Sequence, residues 1–448
     1  MGLGEDMIKV TKFGGTSLAD ATQMRKVKDI LLSDPDRHFV VPSAPGKRFD
    51  NDTKVTDLLL QFNSAVEFGK EYMPIYEKIV DRYVSIRDEL GLSVEIEKHL
   101  AEALKEIEKG AGAEFTASRG EYFNGMLLAD FLGWDFIDAA KIIFFDKRGK
   151  YDNEKTIEAV RAELKKHNYA VVPGFYGSLP DGRIHTFPRG GSDISGAIVA
   201  AGSNADLYEN WTDVSGFKMA DPRIVKDPKT IEYVTYRELR ELSYMGAGVL
   251  HEDSIFPVYS AAIPINVRNT NEPSAPGTMI VPIVDREEEE DKRGITGIAG
   301  KKNFTIISIE KNGMNSELGF GRKVLSCIEK YSVPFEHMPS GIDTLCIVLQ
   351  DSKIQDALHD IVDDIHRVCK PDSIEVFNNL ALIATVGRGM KRQIGTAATL
   401  FGALAKANIN IRMIDQGSSE MNIIVGVANN DFETAINAIY KAFDEKEV

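Results

Sequence analysis

Two kinds of hydrophobic rhythm follow one another along the chain. In the first 285 residues or so, short apolar runs end in glycine- or proline-rich loops and alternate with longer amphipathic stretches, a pattern that predicts strands alternating with helices. Met7–Val10, Phe39–Val41, Asp135–Asp138, Lys141–Phe145, Tyr169–Phe175, Ala205–Thr212 and Val258–Val267 read as strands. The residues after Asp20, Leu58 to about Lys109, a segment beginning at Thr116, Asn153–His167 and Ala197–Ala201 read as helices. Strand–helix alternation of this kind builds a mostly parallel sheet sandwiched by helices, with ligand loops at the strand ends. A charge run, Asp285 to Arg293, then interrupts the pattern. Beyond Gly300 the chain passes twice through the order β-α-β-β-α. The first pass takes Phe304–Ile309, Gly319–Tyr331, Val333–Met338, Thr344–Leu349 and Ile354–Val368. The second takes Leu380–Val386, Gln393–Ala407, Ile409–Ile414, Met421–Val427 and Asp431–Phe443, while Ile374–Phe377 could close one module as a fourth strand. The domain reading is thus an α/β domain over 1–285, a charged linker over 286–300, and two α+β modules over 301–378 and 379–448 with strand exchange open between them.

Composition narrows the class. A chain of 448 residues is too long for one core, and 43% hydrophobic with 27% charged residues is ordinary for a soluble protein. A net charge of -15 argues against a nucleic-acid surface but not against a local basic pocket for a nucleotide. No apolar run reaches the roughly 20 residues of a spanning helix, and no secretory segment opens the chain, so no membrane role and a cytoplasmic location are expected. Cys327, Cys346 and Cys369 lack metal-binding spacing and read as reduced core residues.

Chemistry concentrates in three loops. The first, Lys12-Phe13-Gly14-Gly15-Thr16-Ser17, follows a strand and precedes a helix; bare backbone, a helix N-terminus and a lysine together suit a polyphosphate. It is not the P-loop, whose lysine follows the last glycine. Two glycines after a strand are otherwise an ordinary turn. The second is Ser118-Arg119-Gly120-Glu121, where Glu121 alone would read as a first-turn helix acid. The third, Arg189-Gly190-Gly191-Ser192-Asp193, places a guanidinium at a second glycine turn that opens a helix, an arrangement suited to clamping a carboxylate.

Together these motifs resemble the aspartokinases of the amino-acid kinase fold, which phosphorylate the side-chain carboxylate of aspartate. The resemblance covers nearly the whole chain. It implies ATP and magnesium, with Lys12 and Asp193 catalytic and Lys12, Phe13, Gly14, Gly15, Thr212, Asp213, Lys218 and Arg223 at the nucleotide. Ser43, Thr56, Glu121, Arg189 and Ser192 would hold aspartate, Glu121 taking its ammonium group and Arg189 its α-carboxylate. No protein metal site is expected, since magnesium would ride on the phosphates. Asp193 is either a first-turn helix acid or an anchor for Lys12 or magnesium, and Thr56 is a helix N-terminal residue if the resemblance is set aside. The chain departs from the family where Gly248 replaces a frequent lysine, where Lys218 replaces an aromatic hydroxyl, and in a longer polar loop after Ser43. Lys218 either offsets the missing charge or is a solvated loop residue.

The doubled C-terminal pattern resembles paired ACT modules. That implies an amino-acid effector, lysine first and threonine second, at Met314, Asn315, Ser316, Glu336, Ser340, Asp343 and Thr344, and a homodimer or dimer of dimers built through these modules. His337 reads as a structural residue. The expected function is feedback-regulated phosphorylation of L-aspartate, the first step toward lysine, threonine and methionine. Two alternatives stand beside it: a related kinase with another acceptor, and a catalytically weak amino-acid sensor.

Overall fold

The computed structural model describes residues 7–188, 190–248, 250, 252–282 and 294–444. They form two compact units. One holds residues up to Phe217 together with Thr230–Tyr236 and 249–284; the other holds Lys218–Lys229, Arg237–Gly248 and the chain from 285 onward. The charged run from 285 to 293 that sequence reading assigns to a linker lies outside the described residues.

In the first unit the strands are β1 (Lys9–Phe13), β2 (Arg37–Pro42), β3 (Asp135–Phe136), β4 (Ala170–Val171), β5 (Tyr176–Ser178), β6 (Ile184–Thr186), β7 (Leu207–Thr212), β8 (Tyr233–Thr235), β9 (Ile265–Asn269) and β10 (Thr278–Val281). Eight of them make one sheet in the order β3-β4-β2-β1-β7-β9-β10-β8, parallel at every pairing except β9 with β10. The central strand β1 pairs with β2 on one side and β7 on the other, so its following loop opens where the strand order reverses, the usual ligand position of such sheets.

Helices α1 (Ala21–Leu32), α2 (Val55–Glu67), α3 (Met73–Leu90), α4 (Ile96–Glu108), α5 (Gly112–Leu132), α6 (Asn153–Leu164), α7 (Gly191–Ser203), α8 (Tyr236–Tyr244) and α9 (Phe256–Ser260) complete the N-terminal part; from Arg237 onward α8 falls in the second unit. The amphipathic stretch from Leu58 resolves into three helices whose apolar faces, including Phe62, Tyr83, Leu100 and Ile107, join α1 and α5 in one core. Helices α3 and α5 stop on left-handed Gly91 and Gly133, as helix C-termini prefer.

Two expectations are corrected here. Helix α5 begins at Gly112 rather than at Thr116, which puts Glu121 mid-helix and leaves Glu114 as the first-turn acid. The strand expected over Lys141–Phe145 is a 3-10 turn at Ala139–Lys141 followed by single bridges at Phe144 and Phe145.

The second unit contains β11 (Gly297–Glu310), α10 (Phe320–Glu329), β12 (Thr344–Gln350), α11 (Asp351–Ile354), α12 (Leu358–Cys369), β13 (Ser373–Val386), α13 (Thr396–Lys406), β14 (Met413–Asp415), β15 (Asn422–Ala428) and α14 (Phe432–Asp444). Its strands form one antiparallel sheet, β12-β11-β13-β15-β14. Residues 297–300, read from sequence as the end of a linker, are the start of β11. Ile374–Phe377 and Leu380–Val386, read as two strands, are the single strand β13. Within the pair, Phe304–Glu310 lies between β12 and the first half of β13, whereas Leu380–Val386 lies between β15 and the first half of β11. Each long strand therefore serves both modules. Where it passes from one to the other it kinks at an asparagine, Asn303 (φ 70°) and Asn379 (φ 60°), a residue type that tolerates the left-handed region. The strand expected over Val333–Met338 reduces to bridges at His337 and Ser340, because Pro334 and Pro339 cannot donate to a ladder.

Candidate active site

Lys12 lies one residue from the end of β1, and its ladder partner on β7 is Asn210, so the two side chains leave the same face of the sheet. Lys12 is 7% exposed and its Nζ sits 2.6 Å from Asp193 Oδ1. Asn210, 2% exposed, donates from Nδ2 to the same oxygen at 2.7 Å. The ammonium is thus held by a carboxylate that a neutral amide fixes in place. Both sequence readings for Asp193 hold: it is a first-turn acid of its helix and it anchors Lys12. Sequence reasoning missed Asn210; its signal was a polar residue beside Lys12 in a strand that is otherwise largely buried.

Of the two helices that follow glycine turns, the first has its N-terminus already capped by a side chain. The glycine turn after β1 runs into a 3-10 turn, Gly15–Leu18, and α1 starts only at Ala21, its N-terminus capped by Asp20, which accepts from Gln23 N at 2.9 Å. Gly14 N–H is committed to the Trp211 carbonyl at 3.0 Å. An uncapped N-terminus is instead presented by α7, a 13-residue helix preceded by left-handed Gly190 with no side-chain cap, and Ser192 and Asp193 stand in its first turn. Its leading N–H groups have no intrahelical acceptors and favour an anion.

Glu121 is 5% exposed on α5. The helix comes close enough because position 120 is glycine: a Cβ there would stand 2.8 Å from that of Ala44. Burial pushes the Glu121 carboxyl up to about 8, against the smaller opposing pulls of the Ala44 amide, the Ser192 hydroxyl and the Lys12 charge. Its Oε2 has no hydrogen-bond partner. A buried acid left open in this way is costly, and a cation at that oxygen relieves the cost.

The remaining sequence candidates fall as follows. Ser43 follows β2, its N–H donating to the Phe13 carbonyl at 3.1 Å and its own carbonyl accepting from Asn124 Nδ2 at 2.6 Å. Thr56 is the second residue of α2. Phe13 is fully buried and stacked on Trp211, so its side chain belongs to the core and only its backbone borders the loop. Thr212 ends β7, and its hydroxyl contacts Asp213 Oδ1 at 3.3 Å while Thr16 reaches Asp213 Oδ2 at 3.4 Å. Lys218 and Arg223 belong to the other compact unit, where Arg223 is mostly exposed and pairs with Asp221 at 2.6 Å. Arg189 lies outside the described residues.

In the second unit the structure brings together most of the expected effector residues. Lys311 N–H donates to the Asp343 carbonyl, Asn315 N–H to the Ile342 carbonyl, and Gly313 N–H to the Asp343 carboxylate at 2.8 Å. Met314–Ser316 thus faces the turn that carries Ser340, Asp343 and Thr344. The Glu336 carboxylate accepts from the Tyr244 hydroxyl. His337 is only half satisfied, Nδ1 meeting Asp415 at 2.8 Å and Nε2 buried without a partner.

A parallel sheet whose first strand ends in a buried lysine, facing an uncapped helix that begins Gly-Gly-Ser-Asp, defines an amino-acid kinase, and the amino acid kinase family model matches residues 7–269. An ACT domain model matches residues 383–443. Aspartokinase 3 of Bacillus subtilis (strain 168) is 37% identical over 97% of this chain and 98% of its own length. The solved aspartate kinase of Clostridium acetobutylicum, described as an allosteric enzyme, superposes with a TM-score of 0.89 at 54% identity, covering 98% of this chain and all of that one. Aspartokinase III of E. coli, solved with aspartate and ADP in its R-state and with lysine and aspartate in its T-state, gives 0.73 at 26% identity, over 97% of this chain and 99% of that one. The chain belongs to the aspartokinases, phosphotransferases that join an amino-acid kinase domain to ACT modules.

Proposed function

We propose that this chain transfers the γ-phosphoryl group of ATP to the β-carboxylate of L-aspartate, giving 4-phospho-L-aspartate, and that an amino acid of the pathway so begun regulates it. The observation that carries the reading is the juxtaposition of a buried lysine on Asp193, the open N-terminus of α7 and the unpartnered buried oxygen of Glu121. An aspartate acceptor is already ionised at neutral pH, so the chain needs no general base; its work is positioning and charge neutralisation. Lys12 and the amides after Gly14 stabilise the phosphoryl group in transfer, with Asp193 holding the ammonium in line. Glu121 takes the substrate ammonium, Ser43 and Thr56 offer hydroxyls, and Ser192 and Arg189 seat its carboxylates. The aspartate and ADP bound by the E. coli relative support this pair of substrates.

Magnesium would supply positive charge that neutralises the nucleotide phosphates. No cluster of three or more His, Cys, Asp or Glu suited to a metal occurs among the described residues; Asp213, beside the hydroxyls of Thr16 and Thr212, supplies the oxygen chemistry that such an ion prefers. Lysine is the first effector to test and threonine the second, by analogy with the lysine-bound T-state of the E. coli enzyme. A coupled assay of ADP release, run with aspartate, glutamate and no acceptor, decides the matter. Release that depends on aspartate is expected, with the acyl phosphate trapped as a hydroxamate. Release indifferent to aspartate sinks the reading.

A further inference from the structure

We propose that Arg82 and Asp52 are positioning residues for phosphoryl transfer: together they buckle the polar loop after Ser43 onto the glycine turn after β1. The inference rests on the aspartokinase reading and assigns work to the very insertion that departs from the family pattern.

The two loops meet backbone to backbone. Gly46 N–H donates to the Gly15 carbonyl at 2.8 Å, and a Cβ on Gly46 would stand 2.5 Å from Gly15 C and 2.7 Å from Thr16 N. A Cβ on Gly15 would stand 2.8 Å from the Ala44 carbonyl oxygen. Contact this close involves no side chain of either glycine, and one hydrogen bond contributes only about 1 kcal/mol. The tract that follows, Lys47 to Lys54, is polar apart from an exposed Phe49, so it offers little apolar surface to hold the loop down.

Arg82 supplies the hold from the other side. It is 4% exposed on α3, and its guanidinium divides its bonds between Nη1 to the Gly46 carbonyl at 2.9 Å and Nη2 to Asp52 Oδ2 at 2.6 Å. The Gly46 peptide is therefore gripped on both faces, by Gly15 through its N–H and by Arg82 through its carbonyl. Asp52 is fixed in turn by Arg48, which reaches Oδ1 through Nη2 at 3.0 Å and Oδ2 through Nε at 2.8 Å. A polar cavity of about 530 Å³ lined by Arg48, Asp52, Lys78 and Arg82 leaves the loop without packed backing there. Burying an ion pair contributes little to net stability, since desolvation offsets the attraction, whereas fixing one conformation is a use to which such pairs are put. The loop whose conformation is fixed here runs from Ser43 to just before Thr56, the two hydroxyls that the proposed function assigns to aspartate. Freed, the loop would keep its fold-neutral character but lose its register on Gly15.

The test uses the full chain with Asp52→Asn, Arg82→Met and Arg82→Lys. Each is assayed for KM and kcat with aspartate varied at saturating ATP, then the reverse, and each is melted. A lost charge-assisted hydrogen bond corresponds to about tenfold. The aspartate KM is expected to rise about tenfold in Asp52→Asn and further in Arg82→Met, with the ATP KM within about twofold of wild type. Lysine at 82 keeps the charge without the fork and should recover part of the loss. Because Asp52 sits in a loop outside the helices and sheet, its variant remains informative even where Arg82→Met fails to fold. Variants that melt earlier yet keep the wild-type aspartate KM would overturn the proposal and leave the pair purely structural. A wild type without aspartate-dependent turnover would instead overturn the underlying reading, and this one with it.

Discussion

At the scale of single residues, the site is a set of charges placed where water is scarce. Lys12→Met removes the cation paired with the Asp193 carboxylate, and kcat should fall by about two to three orders of magnitude, the usual cost of losing a preorganised partner of the transferred group; single-turnover kinetics would read it. Glu121 makes a sharper forecast because its carboxyl is pushed up to about 8 by burial. Pairing with a substrate ammonium requires the ionised form, so kcat/KM for aspartate should climb between pH 6 and 8 by up to about tenfold per unit and level off above. Glu121→Gln should abolish that slope. The stability effect has the opposite sense: the folded chain holds this proton more tightly than the unfolded chain, whose carboxyl lies near 4.5, so Glu121 subtracts stability as pH rises from about 4.5 to about 8. Glu121→Gln should accordingly melt higher than wild type at pH 8.5 and with no advantage at pH 4, by differential scanning calorimetry.

Lys12, Glu121 and Asp193 were legible because the stretches that carry them resemble aspartokinase motifs; their glycines alone would read as ordinary turns. Asn210, Asp52 and Arg82 were not legible, since nothing near them in the chain signals a partner: Asp52 and Arg82 are 30 residues apart and meet only once α3 packs beside the loop. Glu336 is the converse case: its type suits a basic ligand, and only tertiary structure shows that a tyrosine hydroxyl from a distant helix also donates to it.

Among elements, the alternation of strands and helices came through the sequence well, while boundaries set by backbone conformation did not. The first helix starts at Ala21 behind its Asp20 cap, where the sequence places it, but α5 starts at Gly112 rather than at Thr116. β13 was read as two strands because Asn378-Asn379 looks like a break; in the sheet it is a kink that the ladder crosses. The kinks yield a test. Asn379→Val would force a β-branched residue into a left-handed conformation and should destabilise the second unit by about 1–2 kcal/mol, whereas Asn379→Gly should be near neutral. Urea titration of the two variants would separate strain from lost side-chain bonding.

For the molecule as a whole, the described chain divides into two compact units, and the second takes in 218–229 and 237–248 from the stretch that sequence reading assigns to the first domain. If lysine binds at the turn around Asp343, saturating lysine should raise the melting temperature, because a ligand that binds only the folded state stabilises it by mass action, about 2.7 kcal/mol at a hundredfold excess over Kd. Threonine should do less, and Asp343→Ala should remove the shift without altering kcat in the absence of effector. Thermal melts with and without each amino acid check both outcomes.

The shared strands β11 and β13 bear on how such a sensor could ever be taken apart. A chain severed between residues 378 and 379 would hand each fragment an unsatisfied border: the later piece would lack the partner that Gly297–Lys302 provides, and the earlier one the company of Leu380–Val386. The halves are therefore inheritable only as a couple, and a sensor of this design can be transplanted whole but not trimmed to one lobe.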